Sequence, residues 1–100
     1  MLFMVTWKGQ HDQWIGTLRY WSSLTPAQRA DVGKGVKLIG RWHDLGSRAG
    51  VAIFKADDAV ALHGYATQWS PFLDLDIAPV VSDEESAVIA AEVVAAQPAS

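Results

Sequence analysis

One hundred residues, half of them apolar and 19% charged, suffice for one globular domain with a single core and leave no room for a second. A formal charge of −3, with its eight Lys and Arg scattered along the chain, argues against a surface that tracks nucleic-acid phosphates. The absence of cysteine excludes a disulfide framework, a thiolate metal site and a thiol nucleophile, and is compatible with a reducing, cytoplasmic setting.

The opening Leu2-Phe3-Met4-Val5-Thr6-Trp7 mixes β-branched, aromatic and unbranched apolar residues before Gly9, and so predicts a buried strand. It is too short, and too soon followed by Lys8, Gln10, His11 and Asp12, for a signal peptide or a membrane span. From His11 the period changes. Trp14, Ile15, Leu18, Trp21 and Leu24 follow the three-and-four spacing of a helix with one apolar face. Thr25-Pro26-Ala27-Gln28 supplies an N-cap, a proline at the first helical position and a capping-box glutamine for a short second helix, which ends before the turn Gly33-Lys34-Gly35. Residues 36–43 and 49–56 then read as antiparallel strands joined by a hairpin loop over 44–48.

Asp57 or Asp58 caps another helix, with Leu62, Tyr65, Ala66 and Trp69 at helical spacing, and Ser70-Pro71 stops it. Over 72–81, Asp74 and Asp76 alternate with Leu73, Leu75 and Ile77 in the period of a strand. Ser82 with Glu85 forms a second capping box before a terminal helix over 87–94. The expected whole is a single α+β domain over residues 1–96, ferredoxin-like in its βαββαβ order, with a C-terminal helix and a frayed tail at 97–100. Its antiparallel sheet carries helices on one face. The other face needs cover, which two copies supply by closing into a dimeric α+β barrel, so a homodimer is expected.

Gly40-Arg41-Trp42-His43, Phe54-Lys55-Ala56-Asp57-Asp58, and Gln68-Trp69-Ser70 leading to Pro79-Val80-Val81 resemble a family of short bacterial proteins, classed as a domain of unknown function among the dimeric α+β barrels. The resemblance covers roughly residues 2–86, is most specific from Val36 onward, and departs over 19–33, where the connection is longer or differently shaped. It implies the fold and dimerisation. The barrel class includes cofactor-free monooxygenases, isomerases, cyclases and haem-degrading enzymes, so the fold selects no reaction.

Strict alternation along residues 36–43 puts Lys37, Ile39, Arg41 and His43 on the open face and Val36, Leu38, Gly40 and Trp42 toward the helices. Asp74 and Asp76 join the first set if the leucines of their strand face the helices. His43, with a carboxylate of Asp74 or Asp76 orienting its ring, is then a candidate acid or base, and Arg41 a holder of an anionic or enolate oxygen. The plainer alternative leaves His43 in solvent at a strand end and the acids in ion pairs with Lys37 and Arg41.

Trp7, Trp42 and Trp69, with Phe54 and Phe72, are candidates for stacking on a planar substrate, with Tyr65 adding a hydroxyl, against the alternative that they are core; Trp14 and Trp21 are read as packing residues. His11, His43 and His63 lack ligand spacing, so neither metal nor other cofactor is expected. Residues 51–55 lack the aromatic and basic pattern of an RNA-binding sheet. Two functional classes remain. One is a cofactor-free isomerase, cyclase or monooxygenase acting on a small hydrophobic or aromatic metabolite; the other is a non-catalytic binding or sensing dimer.

Overall fold

The computed structural model describes residues 1–98 and has the expected ferredoxin-like α+β fold. Its elements are β1 (Leu2–Gly9), α1 (Trp14–Ser23), α2 (Pro26–Ala30), β2 (Val36–Asp44), β3 (Ala49–Ala56), α3 (Ala59–Ala66), β4 (Leu73–Val80) and α4 (Asp83–Ala95). Short 3₁₀ turns at His11–Gln13, Leu45–Ser47 and Thr67–Trp69 adjoin them. Of the predicted frayed tail, Ala99 and Ser100 lie outside the described residues.

All strand pairings are antiparallel, in the spatial order β2-β3-β1-β4. The apolar β1 takes an interior position, paired on both sides, and Phe3 and Val5 are each only 3% exposed. They meet Ala52, Phe54 and Ala56 of β3, Leu62 of α3 and Val32 beyond α2 in the core. Local sequence stops and starts the helices as expected. Thr25 Oγ1 accepts from the Gln28 amide while Gln28 Oε1 accepts from the Thr25 amide, Asp58 caps α3, and Ser82 and Glu85 form the second reciprocal box. Gly33 and Gly35 both adopt positive φ in the turn entering β2, the left-handed region open to glycine.

The alternation expected along β2 fails at one residue. Leu38 pairs with Phe54 and Gly40 with Ile53, which leaves Ile39 unpaired as a bulge. An extra residue in one strand reverses the facing of everything after it. Val36 and Leu38 face the helices as predicted, but beyond the bulge it is Arg41 and His43 that turn inward, opposite Ala52 and Gly50, while Gly40 and Trp42 turn outward. Trp42 is 60% exposed, its ring lying over Gly40 on the open face.

That open face also carries Met4, Val51 and Ile53, with Lys37 and Lys55 directly opposite one another and Asp74 opposite Lys8. Helix α4 is exposed along its whole length. With it, the radius of gyration is 17.1 Å, against about 13 Å for a compact chain of this length.

Candidate functional site

The bulge determines what the space between sheet and helices contains. A cavity of ≈ 70 Å³ lies there. Its floor is Val5, Trp7, Phe54 and Leu75 from the sheet, and its roof is Trp14, Leu18 and Trp21 from α1 with Tyr65 and Trp69 from α3 and the turn after it. Arg41, His43 and Leu45 close one side. Gly50 and Ala52 of β3 face the helical layer as well but do not line the cavity, and Ala52 is fully buried. The Trp7 ring lies over Gly50, where a Cβ would collide with it, and meets the His43 ring edge-on at 5.8 Å.

Arg41 is the cation of this wall. Its Nη1 donates to the Arg29 carbonyl near the end of α2 at 3.1 Å, and Nη2 donates to the Tyr65 hydroxyl at 3.1 Å. The guanidinium carbon stands 5.0 Å from the Trp21 ring centre, a cation–π arrangement. Burial holds the His43 imidazole below the usual histidine pKa, and the Arg41 charge adds to the effect, so the ring is neutral near pH 7. Trp21 packs 5.4 Å from His43 and 5.6 Å from Trp69, and Tyr65 packs 5.7 Å from Phe54. Thr17, the buried polar residue of α1, is satisfied by donating to the Gln13 carbonyl.

Six of the residues singled out from sequence therefore meet around one cavity: Trp7, Arg41, His43, Phe54, Tyr65 and Trp69. Asp74 and Asp76 do not join them. Both face the open side, opposite Lys8 and Thr6. They also stand on the edge strand farthest from β2, with β3 and β1 between, a separation of roughly 14 Å at the usual interstrand spacing. The expected His43–carboxylate arrangement is corrected on both counts: sheet order and the Ile39 bulge separate its members. Ion pairs from these acids to Lys37 or Arg41 fail for the same reason, since both cations stand on β2. Trp14 and Trp21, read from sequence as packing residues, prove to be cavity walls as well. The signal for them is their seven-residue spacing with Leu18 between, which puts all three on one face of α1. His11 and His63 are both exposed and outside the cavity.

The family model for DUF3303, a domain of unknown function, matches residues 1–94. The chain belongs to that family. No curated protein is detectably similar to it. Every residue lining the cavity falls within the matched span, so the cavity belongs wholly to the DUF3303 domain. Among the described residues, no helix is long and apolar enough to cross a membrane.

Proposed function

We propose that this DUF3303 chain binds a small, largely apolar or aromatic molecule in the cavity between α1, α3 and the sheet. The observation that carries the reading is an unfilled space walled by four of the chain's five tryptophans. Protein interiors are otherwise close-packed, and a cavity walled mainly by aromatic and aliphatic side chains favours an apolar guest. At ≈ 70 Å³ it is several times the ~10–15 Å³ that one water occupies on the same measure. Indole is a suitable first probe. Saturating the protein with it is expected to shift the side-chain NMR signals of Trp7, Trp21 and Trp69, and Ala66→Leu, which adds volume at a cavity-lining position, is expected to abolish the response. Unchanged indole binding by a folded Ala66→Leu protein sinks the reading.

His43 supports a catalytic version of the same proposal. A neutral imidazole beside a guanidinium can take a proton from a bound substrate while the cation stabilises the oxygen that becomes negative, as an isomerase, cyclase or cofactor-free monooxygenase requires. In this version Asp74 and Asp76 have no part, and the ring is oriented by Trp7 and Trp21. The binding-only version has no turnover for His43→Gln to remove.

A homodimer is part of the proposal. The chain exposes 6880 Å², roughly 1,300 Å² more than the ~5,600 Å² typical of a folded monomer of its mass. That excess exceeds the ~800 Å² that each partner contributes to a standard interface. Exposed apolar residues include Trp42 on the open sheet face and Val88, Ile89, Val93 and Val94 on α4. Charge complements one part of this pair: α4 carries Asp83, Glu84, Glu85 and Glu92 with no cation, and the β2–β3 side of the sheet face carries Lys37 beside Lys55, while Asp74 and Asp76 stand apart on the β4 edge. A second copy fits both surfaces. Sedimentation is expected to give a dimer that Trp42→Glu converts to monomer, and a monomeric wild-type protein removes the dimer from the proposal.

A further inference from the structure

The cavity holds an electrostatic imbalance. Arg41 brings a full positive charge to its wall, and no Asp or Glu is among the lining residues. The guanidinium is partly buried, and its two hydrogen bonds go to neutral oxygens, the Arg29 carbonyl and the Tyr65 hydroxyl. Burying a cation is costly unless an anion or strong acceptors accompany it. The face of Trp21 compensates in part, and three of the five guanidinium N–H groups are left for another acceptor.

Tyr65 is arranged in the same sense. Its hydroxyl oxygen is occupied as acceptor by Arg41, so its own proton is available to donate. The neutral His43 ring offers one further N–H. Cation, hydroxyl and imidazole all belong to one side of a cavity whose remaining walls are almost wholly apolar.

We propose that the molecule taken up by the aromatic cavity is a monocarboxylate: a planar apolar body between Trp7, Trp21 and Trp69, with its carboxylate received by Arg41 and the Tyr65 hydroxyl. This rests on the cavity being a ligand site and adds the class of ligand. One guanidinium matches one negative charge, and its planar fork accepts a carboxylate in two-point fashion. A phosphate dianion would leave a second charge uncompensated among tryptophans. A neutral ligand would leave the guanidinium as it stands.

Arg41 has a competing role that is purely mechanical. By joining the end of α2 to α3 it braces the helical layer, and a brace alone would give no preference between an acid and its amide. Calorimetric titration with trans-cinnamate and with cinnamamide, which share shape and differ in charge, separates the roles. The wild-type protein is expected to prefer cinnamate by about tenfold or more, the range of a charge-assisted pair. Arg41→Gln is expected to bring the two affinities together by weakening cinnamate alone, Arg41→Lys to keep part of the preference, and Tyr65→Phe to reduce it less than Arg41→Gln does. Equal affinities in the wild type, or a preference that survives Arg41→Gln, overturns the assignment. Binding of cinnamamide without cinnamate leaves the cavity standing as a site and removes the carboxylate. Binding of neither overturns both. If Arg41→Gln fails to fold, the wild-type preference and the Tyr65→Phe response decide.

Discussion

The two faces of this sheet are built from alternate residues of the same strands and have reached different degrees of completion. Phe54 and Ile53 are neighbours on β3; Phe54 is 3% exposed beneath α3, while Ile53 is only partly covered, on a face that no helix covers among the described residues. The helix-covered face draws its cover from within the chain, and the aromatic cavity beneath that cover is where Arg41, His43 and Tyr65 gather. The open face presents Met4, Val51, Ile53 and Trp42 with no covering element among the described residues. A domain can thus cover one side of its sheet from within, where the candidate site lies, and leave the other side open.

Truncating each neighbour in turn sharpens the contrast most. Phe54→Ala is expected to cost about 3–5 kcal/mol, the usual penalty for removing a buried phenyl group. In a domain of this size that lowers the melting temperature by well over ten degrees, at roughly 4–8 °C per kcal/mol. Ile53→Ala should cost about 1 kcal/mol or less in the monomer, and more where a second copy covers the face. Thermal melts of the two variants at low and high protein concentration check this. Equal, concentration-independent losses would break the comparison. Gly50→Ala comes next, at about 1–3 kcal/mol, because the added methyl displaces the Trp7 ring and overpacks the cavity floor. Its signature is a changed Trp7 environment with the fold retained.

The covered face was legible in the sequence wherever local rules hold. Both capping boxes, the hairpin between β2 and β3 and the alternation of β4 follow from nearest-neighbour chemistry, and the βαββαβ order with its sheet topology follows from them. The site was legible in its residue types but not in its geometry. Strict alternation carried through Ile39 puts Arg41 and His43 outside and Trp42 inside, and nothing in Leu38-Ile39-Gly40 marks a bulge except the glycine after it. Nor does the sequence separate Asp74 and Asp76 from His43, because a strand's period gives the face of a residue and says nothing of the lateral distance between edge strands.

Helix α4 extends the contrast beyond the sheet. None of its residues is buried, so truncation after Val81 is expected to leave the monomer's melting temperature within a few degrees of wild type, the effect usual for surface changes. The same truncation removes Val88, Ile89, Val93 and Val94 from solvent-facing positions, and is expected to weaken self-association measurably by sedimentation. A large loss of monomer stability with association intact would mean that α4 returns to its own sheet, and that the open face is closed within the chain.

The smallest expected effect belongs to His43, where the covered face meets solvent. Its folded pKa lies below the unfolded value of about 6.5 through burial first and the Arg41 charge second. Between those two values the unfolded chain holds the more protons, so stability rises with pH there. The contribution is complete above about pH 6.5 and is lost as pH falls toward the folded pKa. Because the ring is largely exposed, the amplitude is modest, and His43→Gln should flatten the stability profile in that window without altering it at higher pH. Arg41→Gln should raise the His43 pKa only part of the way back, since desolvation is the larger cause, and imidazole NMR titration reads that directly. Full restoration in that variant would make charge, with burial contributing little, the reason this histidine is neutral.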